Sequence, residues 1–233
     1  MIPLNDIISI HDVKFRWSQQ ASFSLNVPKF NLVAGETALL LGESGSGKST
    51  LLSLICGTVT TASGSVGVCG TQISDLSAGQ RDGFRADNIG LIFQQFNLLP
   101  YASVLDNILL PLRFAPSRRA RVENPKHEAA RLCRQLGLPE ACQHQKAGRL
   151  SVGQQQRVAA ARALIGAPPL IIADEPTSSL DAGTQEAFLD LLFAQIQQNG
   201  STLLMVSHDA RLAAKFHRVI QMEDVLKRKE FGA

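Results

Sequence analysis

The run Gly42-Glu43-Ser44-Gly45-Ser46-Gly47-Lys48-Ser49-Thr50 constrains this 233-residue chain more than any other stretch. It fits the pattern G-x-x-x-x-G-K-[ST]. Glycines at 42, 45 and 47 let the backbone curl so that successive N–H groups point inward, toward anionic oxygens. Just before it, Thr37 to Leu41 is short and continuously apolar, as a buried strand is. Just after it, Ser49 to Cys56 has helical spacing, and Gly57 closes the helix. A strand that enters a glycine turn and leaves as a helix sets the positive end of that helix against the turn. Gly42, Ser44, Gly45, Ser46, Gly47 and Thr50 therefore frame a phosphate cradle. Lys48 would reach the β- and γ-phosphates of a nucleotide, and the Ser49 hydroxyl would ligate Mg2+.

A second acidic site fits the first. Leu170-Ile171-Ile172-Ala173-Asp174-Glu175 reads as an apolar strand ending in two acids. In parallel α/β sheets, ligands sit at the carboxyl ends of strands. Asp174 can hold Mg2+ there, directly or through water, and Glu175 can orient or deprotonate an attacking water. Alone, such a pair could be a turn or a helix cap.

The rest of the chain alternates apolar strands with helices, the pattern of a mostly parallel sheet covered on both faces. Ile7 to Arg16 reads as an edge strand and Ser22 to Leu32 as a second. Gly64 to Val68, Asn88 to Phe93, Thr202 to Val206 and Val219 to Met222 read as further strands. Asp106 to Phe114 is helical in part. Asn124-Pro125 predicts an N-cap and first turn of a helix ending at Gly137. Gln154 to Ile165 and Gln185 to Gln197 complete the helices.

Composition narrows the function. A 45% hydrophobic, 18% charged chain can form a sizeable core. A net charge of +3 is too small to point to nucleic acid. Its dense basic cluster, Arg118, Arg119 and Arg121, reads as a solvated or partner-facing loop. Cys56, Cys69, Cys133 and Cys142 show no zinc spacing and suit a reducing compartment. The N-terminus does not read as a secretory signal, and no window approaches the ~18 apolar residues of a membrane span. Direct membrane insertion is not expected, so a transport role needs another chain for the pore.

Leu150-Ser151-Val152-Gly153-Gln154, upstream of Asp174, resembles the LSGGQ signature of ATP-binding cassette (ABC) proteins. Asp174-Glu175-Pro176-Thr177-Ser178-Ser179-Leu180-Asp181 is similar to the family's second acidic motif and D-loop. Gln94 matches its Q-loop glutamine and His208 its switch histidine. Trp17 falls at the aromatic position that stacks on adenine, with Phe15 as the alternative. The resemblance covers essentially the whole chain. It implies an α/β P-loop cassette with a mostly parallel core sheet, an N-terminal antiparallel β subdomain and an inserted helical subdomain. The core would take residues 1–95 and 153–233, and the helical subdomain 96–152.

The resemblance also implies a mechanism. ATP would be sandwiched between two copies, each site pairing one chain's phosphate loop with the other's Ser151, Gly153 and Gln154. Glu175, His208, Lys48 and Gln94 would be catalytic; Ser49, Gln94 and Asp174 would hold Mg2+. The signature departs from the family at Val152, where glycine is usual. A β-branched residue tolerates positive φ poorly, so an ordinary backbone region is expected there. Ser178 is a smaller departure.

The run from Phe93 to Pro100, followed by Ser103-Val104-Leu105-Asp106-Asn107-Ile108, is similar to the branch serving lipoprotein release, macrolide efflux and cell division. That implies an integral membrane permease of the FtsX/MacB-like type and a place at the cytoplasmic face of the inner membrane. Phe96, Leu98, Leu99, Leu105 and Ile108 either line a groove for that permease or pack in the core. Chromosome and repair ATPases would need a long coiled coil between Lys48 and Asp174, and no sustained heptads occur there. Translation-factor cassettes would need two cassettes in one chain. A non-hydrolysing regulator would not need Lys48, Asp174, Glu175 and His208 together.

Overall fold

A computed structural model describes residues 5–17 and 24–226. In chain order the elements are β1 (Asp6–Arg16), β2 (Ser24–Val33), β3 (Thr37–Leu41), α1 (Lys48–Ile55), β4 (Ser63–Val68), β5 (Thr71–Gln72), α2 (Ala78–Asn88) and β6 (Ile89–Ile92). They continue with α3 (Val104–Leu109), α4 (Pro116–Ala120), α5 (Pro125–Gln135), α6 (Val152–Leu164), β7 (Leu170–Asp174), α7 (Ala182–Asn199), β8 (Thr202–Ser207), β9 (Arg218–Gln221) and α8 (Met222–Val225). The described residues form two compact units, those within 1–85 and 204–233, and those within 86–203.

The first unit holds an antiparallel sheet in the order β2-β1-β4-β5. β1 is therefore a central strand and not the edge strand expected from its weak alternation. That alternation is weak because the strand changes parity. Ile8 and Ile10 are buried, and so are Val13 and Phe15. Between them the register against β4 shifts, and Asp12 takes φ 50°. An extra residue in one strand turns later side chains to the other face. Gly64 makes room for this bulge, since a Cβ there would lie 2.4 Å from the Asp12 carbonyl oxygen. Trp17 then follows Phe15 in parity. The same unit contains β3, completely buried, between the carboxyl part of β8 and the parallel strand β9. The start of the predicted second strand, Ser22 and Phe23, lies outside the described residues.

The second unit contains the order β6-β7-β8, with β6 and β7 parallel. Helix α6 packs on β6, α3 and α5. Its alanines at 159, 160, 161 and 163 are buried and let it lie close to the strand. The approach is tight enough that a Cβ at Gly90 would sit 2.3 Å from the Ala163 carbonyl oxygen. α5 begins as its sequence predicts, with the Asn124 side chain accepting from His127 N–H and Pro125 at the first position.

The basic cluster is only partly the solvated loop expected: Arg119 and Arg121 are exposed, but Arg118 is not. Arg118 is 2% exposed and donates to the carbonyls of Ala163 and Ile165, at 2.9 and 2.8 Å. Arg121 donates to Gly166 and Ala167, at 3.1 and 2.9 Å. A helix ends with carbonyls that lack intrahelical partners, and cations there also meet the negative pole of the helix. These guanidiniums close the C-terminus of α6. Burial pushes the Arg118 pKa down to about 10, which still leaves it a cationic donor at neutral pH. Arg118→Met keeps the aliphatic stem and removes the donors. It is expected to lower unfolding stability by about 3 kcal/mol, seen as a reduced urea midpoint at an unchanged slope.

Candidate functional site

In the first unit the glycine run folds as a phosphate cradle should. Gly45 and Gly47 take φ of 81° and 103°, values in the left-handed range that side-chain-bearing residues rarely adopt. Gly42 has no room for a Cβ, which would meet Met222 at 2.8 Å and Ser46 Oγ at 2.9 Å. α1 starts at Lys48 with Gly47 as its cap residue and no side-chain cap, so its leading N–H groups face the loop. Lys48 is 9% exposed, and its ammonium donates to the carbonyls of Gly42 and Glu43 at 2.6 and 2.8 Å. Ser46 Oγ is buried, with no hydrogen-bond partner among the described residues. A curled backbone, a buried ammonium and an unpaired buried hydroxyl match the oxygens of a polyphosphate in charge and in hydrogen-bonding capacity.

Trp17 stands beside this loop. Its indole N–H donates to Thr50 Oγ1 at 3.3 Å, and its ring meets Phe15 edge-on at 5.0 Å. Phe15 is buried, whereas Trp17 is 39% exposed, so the accessible aromatic face belongs to Trp17. His208 follows β8 and is exposed.

In the second unit, Asp174 ends β7 half-buried and Glu175 comes next. Glu175 takes φ 46°. A non-glycine residue held there costs roughly 1–3 kcal/mol and persists only where its surroundings impose it. Ser178 supplies part of that constraint: its N–H and hydroxyl both donate to the Glu175 carbonyl, at 3.3 and 3.1 Å. The following turn ends at Asp181, which caps α7. Hydrogen bonds from the Thr184 N–H and hydroxyl hold the Asp181 carboxyl below its usual pKa.

The signature stretch opens α6 and faces outward. Ser151 is its N-cap, and the Ser151 and Gln154 side chains each bond the other's backbone N–H, at 3.4 and 3.0 Å. This capping box fixes Ser151, Gly153 and Gln154 in one turn. Val152 is the first helical residue, has no positive φ and is 49% exposed, as expected for a β-branched residue at this position. The helix starts two residues before the breaker-free run at Gln154, with Ser151 as its cap.

Gln94 is exposed in a tight turn just after β6, where Phe96 N–H bonds the Phe93 carbonyl. Of the apolar residues beyond it, Phe96 and Ile108 are core residues, while Leu98, Leu99 and Leu105 are partly exposed.

A family model described as ABC transporter matches residues 25–178. The chain belongs to the ABC transporter family. Within that family it is one of the ATP-hydrolysing cassettes. It is 41% identical over 196 residues to the macrolide export ATP-binding/permease protein MacB of Rhodopirellula baltica, covering 84% of this chain and 28% of that protein. It is also 41% identical over 191 residues to the lipoprotein-releasing system ATP-binding protein LolD of Syntrophotalea carbinolica, covering 82% of each. Among solved structures, a dimeric post-hydrolysis state of the cassette MJ0796 bound to ADP and Pi superposes with a TM-score of 0.81 at 33% identity, over 95% of this chain and 97% of that one. MJ0796 is a protein of Methanocaldococcus jannaschii.

Two residues of this ABC cassette were not singled out by sequence reasoning. Gln156 is fully buried and donates to the Pro176 carbonyl at 2.6 Å, next to Glu175. Arg162 is 9% exposed and donates to the carbonyls of Phe96 and Asn97 at 2.5 and 2.6 Å, next to Gln94. Both look like ordinary helix residues until their partners are known. No helix among the described residues is long and apolar enough to cross a membrane.

Proposed function

We propose that two copies of this chain close on MgATP, that hydrolysis releases them, and that the cycle drives a separate membrane permease. The observation that carries this reading is the exposed, capped N-terminus of α6 at Ser151–Gln154. A helix start presenting N–H groups and a serine hydroxyl to solvent is an anion site awaiting a partner molecule. The dimeric MJ0796 cassette with ADP and Pi supports the same arrangement.

In this reading the glycine loop and Lys48 hold the phosphates and Trp17 stacks on the adenine. Ser49, Asp174 and Gln94 would hold Mg2+, which neutralises charge developing on the transferred phosphoryl group. Glu175 orients and deprotonates the attacking water, and His208 contacts the γ-phosphate. Ser151, Gly153 and Gln154 contact the γ-phosphate held by the partner copy. The likeness to LolD and MacB supports a permease of the lipoprotein-release or macrolide-export kind at the inner membrane. Co-purification with such a permease tests that assignment.

The sandwich has a sharp test. Among the described residues a Cβ at Gly153 would meet only Thr184, at 3.9 Å, so a larger residue fits the folded monomer. An aspartate there suits the helix N-terminus of its own chain but repels a phosphate. In a Glu175→Gln background, Gly153→Asp is expected to keep ATP binding and thermal stability and to abolish the ATP-induced dimer in light scattering. A dimer that persists would refute the sandwich.

A further inference from the structure

Gln94 lies in a short segment bent against ordinary backbone preference. The Phe93 carbonyl accepts from Phe96 N–H at 3.0 Å, and the Gln95 carbonyl accepts from Asn97 N–H at 2.6 Å. Gln94 is thus a central residue of one tight turn, and a three-residue turn follows at once. Phe96 and Asn97 take φ of 57° and 48°. Two successive side-chain-bearing residues in the left-handed region do not stay there unaided. Arg162 holds them. It reaches from α6 with two guanidinium nitrogens, one on each of these successive carbonyls, at 2.5 and 2.6 Å.

Helix α6 that carries Arg162 also carries the signature at its other end. The short 3-10 turn leading into Ser151, Ala147–Arg149, is tied to the chain beyond Gln94 as well. Ala147 N–H bonds the Ala102 carbonyl, and Gly148 N–H bonds the Pro100 carbonyl. Buried Asn107 pins Leu99 through both its N–H and its carbonyl.

We propose that Arg162 is a positioning residue for Gln94: its fork on the Phe96 and Asn97 carbonyls fixes the turn that aims the Gln94 side chain and ties that aim to the signature helix. This inference rests on the assignment of Gln94 to the nucleotide site. A lysine at 162 could keep the charge and the stem but not the two-pronged contact. Its effect should fall on turnover more than on ATP affinity, because the phosphate loop is a separate element.

Arg162→Lys is expected to lower kcat about tenfold while KM for ATP changes less than about threefold. Combined with Gln94→Ala it should cause little further loss, since both changes remove the same contribution. Asn97→Val attacks the same turn without touching α6, because a β-branched residue resists positive φ and the Asn97 side chain is exposed. It is expected to reproduce the kcat loss and the non-additivity, and it serves if Arg162 variants do not fold. Wild-type turnover in a folded Asn97→Val, or losses that multiply with Gln94→Ala, would overturn the proposal. Wild-type turnover in Gln94→Ala alone would instead remove the assignment on which it rests.

Discussion

Glu175→Gln is expected to cut steady-state phosphate release by at least about 100-fold while leaving ATP binding intact, because a positioned general base contributes roughly 10²–10⁴-fold. The amide keeps the size and polarity of the carboxylate and loses its ability to take a proton. The backbone argues that the new side chain will occupy the same place. Glu175 is held at φ 46° with its carbonyl bound twice by Ser178, and neither feature involves the side chain. Thermal stability should therefore be unchanged. With hydrolysis blocked and binding retained, ATP should accumulate a long-lived dimer in light scattering. Turnover near the wild-type rate, with no trapped dimer, would remove Glu175 from the catalytic role.

Lys48→Ala should weaken ATP binding by about 100-fold. Hydrogen bonds to a charged group are worth about 1.5–3 kcal/mol each, and about 1.4 kcal/mol is a factor of ten in affinity. The ammonium now spans the Gly42 and Glu43 carbonyls, so it is already seated at the mouth of the curled loop. Its removal loses the proposed phosphate contact and also frees the two carbonyls that the ammonium bridges. Lys48→Arg should not rescue binding, since the 9% exposed side chain leaves little space for a planar fork. The measurement is convenient because Trp17, the chain's single tryptophan, bonds Thr50 in the first turn of α1. Its fluorescence should respond to ATP in the wild type and require far higher ATP in the variant. An unchanged titration would contradict the cradle.

The parts of this protein that are legible in its sequence are those whose causes are local. β3, β7 and β8 are continuous apolar runs because they are buried on both faces. α5 announces itself through Asn124-Pro125. The phosphate loop is visible because its backbone requires glycine. What stayed hidden depends on distant partners. The central place of β1 is decided by its pairing with both β2 and β4. α2 buries no residue, so it leaves no apolar stripe to detect. The burial of Arg118 is invisible without the end of α6 that it closes. Glu175, Phe96 and Asn97 adopt left-handed backbone without the glycine that would have advertised it. Those bends flank the proposed water-orienting and metal-binding residues, and strain imposed by tertiary contacts has no local signature.

The capping box at the head of α6 carries a lesson for anyone wishing to harden this molecule. Ser151 Oγ accepts from Gln154 N–H, so its own hydrogen remains available to an outside acceptor. Aspartate is an equally good helix cap and would look like a safe, stabilising replacement. It has no hydrogen to give and, in the proposed sandwich, would add an anion beside the nucleotide. On that proposal, thermostability screens that reward caps alone would select, at this one position, a sturdier protein deprived of its hold on the twin's phosphate.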